Sequence, residues 1–298
     1  MHKGTLYAVG AYVSWGLLPV YWKWLQHVPA AQLLSHRILW SFLALFAVIG
    51  FAHHLSAFRA ATFKPAIVRA YSLAAVLIAI NWLTYVWAVT AGFIVETSLG
   101  YFINPLLSVL LGVLFLGERL RPWQWVAIGL AAVGVLYLAL VYGSVPWIAL
   151  TLAFSFGFYG LVKKTAPLGS LYGLTLETGI LLLPALGFLL YAESSGQGAF
   201  LHTGVTADLL LVGAGLMTTF PLLLFAAAAQ RIPLSRIGIL QYIAPTLQFL
   251  IGVLIYHEPF TRAKFIGFAC VWVALLIFGI EGFLAYRTQR VLVAGDVH

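Results

Sequence analysis

Charge is scarce in this chain. Only 8% of its 298 residues are charged, 63% are hydrophobic, and the mean hydropathy is +1.02. A soluble globule of that composition would leave too much apolar surface in water, so hydrocarbon is the expected solvent. Cysteine is nearly absent: Cys270 stands alone, which excludes an intramolecular disulfide and any cysteine-based metal cage. Long polar segments are missing too. The longest connections between apolar runs, Ala52 to Arg69 and Ala192 to Ala207, each hold fewer than about twenty residues, too few for a soluble catalytic or ligand-binding domain. The chain also has no phosphate-binding Gly-x-x-x-x-Gly-Lys loop, no His-Glu-x-x-His, no Gly-x-Ser-x-Gly and no paired intramembrane aspartates. ATP hydrolysis and intramembrane proteolysis therefore lack their machinery, and no cofactor and no metal are expected.

What is present is a series of apolar runs, each near the roughly 20 residues that cross a bilayer. They run from Thr5 to Trp24, Leu33 to Phe51, Ala70 to Ala91, Phe93 to Leu116, Trp123 to Val141, Val145 to Val162, Leu171 to Tyr191, Asp208 to Ala229, Ile237 to Tyr256 and Ala263 to Tyr286. The first is too long and too aromatic for a signal-peptide core and lacks a small-x-small cleavage site, so it is expected to be retained. The fold class predicted is an all-α integral membrane protein with ten transmembrane helices.

The second five runs replay the first five. Ser14-Trp15-Gly16 matches Ser155-Phe156-Gly157, and Lys23 matches Lys164. Leu99-Gly100-Tyr101-Phe102-Ile103-Asn104-Pro105, Gly112 and Glu118 match Leu240-Gln241-Tyr242-Ile243-Ala244-Pro245, Gly252 and Glu258. Coincident Tyr, Pro, Gly and Glu are hard to obtain from apolar composition alone. The predicted domains are a first five-helix repeat at 1–143, a second at 144–286, and a cytoplasmic tail at 287–298. Five crossings per half force the second copy to insert upside down, an arrangement characteristic of secondary transporters.

Positive charge sets the orientation. With the N-terminus cytoplasmic, twelve Lys and Arg residues, among them Arg59, Arg119, Lys163 and Arg231, fall inside, and only Lys23, Arg37, Arg262 and Lys264 fall outside. Both termini are therefore expected in the cytoplasm. The net charge of +8 reflects this topology and anionic lipid headgroups, and the scattered charges give no footprint for nucleic acid.

The segment Ser98 to Leu106 followed by Gly117-Glu118-Arg119-Leu120, the opening Tyr12-Val13-Ser14-Trp15-Gly16 with Pro19 and Tyr21, and His36-Arg37 with Trp40-Ser41 resemble the RarD group of EamA-type transporters in the drug/metabolite transporter superfamily. His257-Glu258-Pro259 departs from the first-half motif. The resemblance implies a bacterial inner-membrane transporter with substrate in a cavity lined by spans 1 to 4 and 6 to 9, and with spans 5 and 10 peripheral. The group's association with chloramphenicol sensitivity implies a transport class.

Several residues are candidates for that cavity. Pro105 and Pro245 lie inside spans and deprive the carbonyls of Tyr101 and Gln241 of their helical partners, which marks either a flexing point on the pathway or a kink satisfied by a neighbour. Asn81, Asn104, Gln241 and Gln248 carry amides at membrane depth, where they face a cavity or bond another helix. Trp15, Trp40, Trp82, Tyr85, Tyr101 and Tyr242 offer flat rings for an amphipathic solute, or for packing. His36, Arg37 and Glu177 are ionisable and cost roughly 2.5 to 3.5 kcal/mol each at a bilayer centre. They are candidates for gating or proton coupling; the alternative is that Arg37 snorkels to headgroups and Glu177 pairs with Lys163 or Lys164. Glu118 and Glu258 read as interfacial ion-pair partners of neighbouring arginines and lysines, and Glu96 as a favourable first-turn acid.

These features point to a secondary transporter, exporter or facilitator, for a small-molecule substrate such as an amino acid, another metabolite or an amphipathic drug. A membrane ligand sensor or receptor without transport is the alternative, and an intramembrane enzyme is a third class that the missing motifs argue against.

Overall fold

The computed structural model describes residues 3–91, 93–142, 146–255 and 262–295, and within them the chain is entirely helical. The helices are α1 (Lys3–Trp24), α2 (Ala30–Phe51), α3 (Leu55–Thr62), α4 (Pro65–Thr90), α5 (Ile94–Leu116), α6 (Pro122–Tyr142), α7 (Trp147–Thr165), α8 (Ser170–Ser194), α9 (Val205–Ala229), α10 (Leu234–Gln241), α11 (Ile243–Leu254) and α12 (Arg262–Gly295). Seven of them (α2, α4, α5, α6, α8, α9 and α12) are long and apolar enough to cross a membrane. By length α1 and α7 reach roughly 33 and 28 Å at 1.5 Å per residue, but α7 carries Lys163 and Lys164 in its last turn.

Proline and glycine punctuate the chain. Pro65 and Pro122 occupy first helical positions, where a missing amide costs nothing. Pro29, Pro146 and Pro233 stand just before α2, α7 and α10. α5 ends at Gly117, whose φ of +63° is the left-handed conformation that favours glycine. The turn aims Glu118 back over the bundle, and its N–H bonds the Gly112 carbonyl at 3.1 Å.

Three departures from the sequence reading stand out. The ninth run is not one helix: it breaks at Tyr242 into α10 and α11, three residues before Pro245. The connection after α2 contains α3, short and amphipathic, with Phe58 and Thr62 buried. Residues expected in a tail continue α12 as far as Gly295, because no proline or glycine interrupts the run from Tyr286 to Ala294. The expected repeat mate of Glu118, Glu258, with His257, Pro259 and the end of the ninth run at Tyr256, lies outside the described residues, as does the junction at 143/144.

The two halves interlock. α1 packs on α9 and α11, α2 on α8 and α9, α4 on α7 and α8, and α5 on α7 and α10, so each first-half helix except the short α3 finds its main neighbours in the second half. The largest core cluster accordingly joins Tyr12 and Leu45 to Tyr159 and Phe225. α6 and α12 pair with each other at the side, where Ala127 and Ala131 are fully buried with Val271 and Ala274. That internal packing accounts for the small-residue face of α6.

Close approach of α2 and α9 depends on Gly215: a Cβ there would stand 2.5 Å from the Trp40 backbone and 2.7 Å from Ser41 N. Gly215→Ala is expected to destabilise the protein by about 2 kcal/mol through overpacking against backbone. Gly50→Ala, with nothing within 4 Å, should change stability by less than about 1 kcal/mol, in the stabilising direction. Thermal unfolding of both variants in detergent micelles checks the contrast; equal melting temperatures would contradict the packing argument.

Candidate functional site

A cavity of about 150 Å³ lies between the two halves. That is roughly ten times the space one water needs, enough for a small organic molecule. Its walls come from α1, α2, α4 and α5 on one side and from α7, α9, α10 and α11 on the other. None of its lining residues comes from α6 or α12. It sits toward the end of the bundle where α1 finishes and α5 begins, since Trp22 and Thr97 both line it.

Of the residues singled out in the sequence, Trp15, Arg37, Asn81, Tyr85, Tyr101, Asn104, Gln241 and Pro245 line this space, together with Trp82 and Gln248. Asn81 donates to the Leu152 carbonyl at 2.9 Å and to Ser155 Oγ at 3.1 Å, tying α4 to α7. Gln248 Nε2 reaches the Trp15 carbonyl at 3.2 Å. That carbonyl is the one freed by Pro19, four residues on within α1, so an amide from the other half repairs the proline's missing bond. Asn104 Oδ1, Gln241 Oε1 and the Tyr12 hydroxyl are buried and meet no hydrogen-bond partner among the described residues.

Among the described residues, Arg37 is the only Asp, Glu, Lys, Arg or His in the lining. Its Nε donates to Thr218 Oγ1 at 2.9 Å, and its guanidinium carbon lies 4.8 Å from the Trp22 ring centroid and 5.0 Å from that of Trp82. It therefore turns inward rather than snorkelling to headgroups.

Other candidates sit elsewhere. His36 and Trp40 are one helical turn apart on α2 and pack on Phe200, at 5.1 and 5.9 Å between ring centroids. They share a face that Arg37, one residue round the helix, does not. Tyr242 is fully buried against Phe102, donating its hydroxyl to the Phe102 carbonyl at 3.1 Å. Pro105 is buried within an unbroken α5, its carbonyl packed against Gly238.

Glu177 also lies off the cavity, in an ion pair with Lys163 at 2.6 Å, with both side chains only 1% exposed. Tyr159 donates a hydrogen bond to the same carboxylate at 3.0 Å, and the Lys163 ammonium stands 5.3 Å from the Tyr71 ring. Between this pair and the cavity lies an aromatic floor: Trp15, Phe156 and Phe225 meet at 5.2 to 5.7 Å, and Tyr159 stacks on Phe225.

Glu118 does not form the interfacial ion pair expected of it. Its carboxylate accepts from Leu234 N at 2.6 Å and from Ser235 N and Oγ at 2.8 and 2.6 Å, capping α10 across the repeat boundary. Arg121 pairs instead with Glu281 at 2.8 Å. Beside this cap, Lys164 donates to the Ile232 carbonyl at 2.7 Å and Gln230 to Leu168 at 2.7 Å. The end of the bundle opposite the cavity is thus closed by the Glu118 cap between the halves and by polar links within the second half.

Sequence reasoning passed over Trp22 and Thr218. Trp22 reads as an interfacial anchor, and Thr218 is silent because a threonine satisfies itself within its helix, here through the Ala214 carbonyl at 2.8 Å.

The EamA-like transporter family matches residues 2–140 and again residues 144–280. The chain is 50% identical to the transporter YojE of Bacillus subtilis over 93% of each chain, and 43% identical to the RarD protein of Escherichia coli over 97% of this chain and 96% of that one. It is 31% identical to a chloramphenicol-sensitive RarD protein of Pseudomonas aeruginosa over 96% of this chain and 97% of that one. A crystal structure with 20% identity superimposes with a TM-score of 0.69, covering 96% of this chain and 98% of the other, and shares the fold.

Breaking a buried ion pair strands a charge, whereas replacing both partners removes the desolvation cost of each. Lys163→Met and Glu177→Leu should each destabilise the protein by about 3 to 5 kcal/mol, and the double variant should recover most of the loss. Thermal unfolding of the four proteins measures the cycle; additive losses would show the two side chains to be energetically independent.

Proposed function

We propose that this chain, which belongs to the EamA-like transporter family and is RarD-like over nearly its whole length, is a secondary transporter carrying small organic solutes by alternating access between two inverted five-helix halves. The observation that carries this reading is the cavity walled by both halves, open space toward one end and, toward the other, an aromatic floor, the buried Lys163–Glu177 pair and the cross-half Glu118 cap. A site at the junction of two interlocked units is what rocking one against the other would expose alternately.

In this reading the chain makes ten crossings, with α10 and α11 together counting as one and α3 lying beside the bundle on the cytoplasmic side. The positive charges put both termini in the cytoplasm of a bacterium whose inner membrane holds the protein. The cavity then faces outward, and the Glu118 cap and the Lys163–Glu177 pair close the cytoplasmic end. The solute is a small metabolite, amino acid or amphipathic drug, sized by the cavity. Coupling to protons through Glu177 or His36 has little support, because neither lines the cavity and Glu177 is already committed to Lys163 and Tyr159. Movement down the solute's own gradient is the simpler reading.

Two measurements test this. With Cys270 replaced by Ser, Phe63→Cys and Thr203→Cys, 140 residues apart at exposed positions, should label from opposite faces of the membrane; labelling from one face would sink the inversion. In proteoliposomes, solute counterflow should be saturable and indifferent to an imposed pH gradient. Tight binding without flux would instead favour a sensor, and flux that collapses with the proton gradient would overturn the uncoupled reading.

A further inference from the structure

We propose that Arg37 is the anion receptor of the cavity and that the carried solute is a small organic carboxylate. The inference rests on the transport reading above and adds to it the charge of the solute. A guanidinium carries five N–H donors in one plane. In Arg37 the Nε donor is taken by Thr218, and the guanidinium carbon lies over the Trp22 and Trp82 rings, 4.8 and 5.0 Å from their centroids. What remains is the in-plane edge with the two terminal nitrogens, whose donors meet no protein acceptor among the described residues.

No carboxylate of the protein competes for that edge among those described. Glu118 is spent on Leu234 and Ser235, Glu177 on Lys163, Glu193 on His202, Glu281 on Arg121 and Asp208 on the Leu201 amide. An unpaired cation at membrane depth is expensive, and an arriving anion lowers that cost while gaining charge-assisted, bidentate hydrogen bonds. The guanidinium fork matches a carboxylate bidentately, and a cavity of about 150 Å³ limits the solute to a small one. The same charge repels a cationic solute. The remaining wall, with Trp15, Phe156 and Leu222 beside the amides of Asn104 and Gln241, accepts an apolar body with a polar substituent.

The alternative role is mechanical: Arg37 would only pin α2 to α9 through Thr218. The two roles separate in a flux experiment with full-length protein in liposomes, using phenylacetate, succinate and L-phenylalanine, each against its amide. The acids should enter at least about tenfold faster than the amides. Arg37→Gln should abolish acid uptake. Arg37→Lys keeps the charge but loses the fork, and should raise KM about tenfold with little change in maximal rate; a purely mechanical role would lower the maximal rate and leave KM alone. Melting temperatures report folding of both variants, and the lysine variant decides the matter if the glutamine one does not fold. Amides entering as fast as acids, or acid uptake unchanged in Arg37→Gln, would overturn the anion inference and leave transport standing. No saturable entry of any solute would overturn the transport reading and this inference together.

Discussion

Hydrocarbon offers no hydrogen bonds, and that single constraint organises this protein. Every polar group within the bundle must find a partner in the protein or border a space that admits water or solute. The chain follows the rule by using one half to satisfy the other. Gln248 of α11 bonds the carbonyl that Pro19 frees in α1, Ser41 of α2 donates to the Gly215 carbonyl of α9, and Tyr242 donates to the Phe102 carbonyl of α5. Each of these links crosses the repeat boundary. Without the other half these three acceptors would be left unpaired, so the interlocking of the helices serves hydrogen bonding as well as packing.

Seven buried side-chain atoms among the described residues do not meet the rule: four, in His36, Trp40, Thr219 and Glu281, lie off the cavity, and three share it. Asn104, Gln241 and Tyr12 keep buried polar atoms without partners, and all three line the cavity with Arg37. Three such atoms beside one guanidinium and one open space form a polar surface that a bound solute or water can satisfy. His36 Nδ1 and Trp40 Nε1 are orphaned too, but against Phe200, in a separate contact under the connection between α8 and α9.

The helical membrane architecture was legible in composition and run length because a spanning helix needs only enough apolar residues in a row. Buried amides were legible for the same reason: Asn81, Asn104 and Gln241 are costly enough in lipid that their spacing betrays them. Facing was not. His36, Arg37 and Trp40 are neighbours in sequence, yet only Arg37 reaches the cavity, since helical rotation sends the other two elsewhere and no periodicity fixes it in helices apolar on nearly every side. Partner choice was equally hidden. Glu118 stands beside Arg119 and Arg121 in sequence, but the left-handed turn at Gly117 directs it to the first amides of α10.

That cap explains why the repeats, so alike in sequence, differ in shape. In α5 the helix runs unbroken past Pro105, whereas its counterpart breaks at Tyr242, leaving α10 as a short segment with its own N-terminus. This short helix is held at its N-terminus by a carboxylate of the opposite half, and the break at Tyr242 separates it from α11. Charge-assisted bonds of this kind contribute roughly 1.5 to 3 kcal/mol each, so the three that Glu118 accepts are a substantial tie between the halves. The polar link that joins the halves at this end therefore falls where the two repeats depart most from each other in shape.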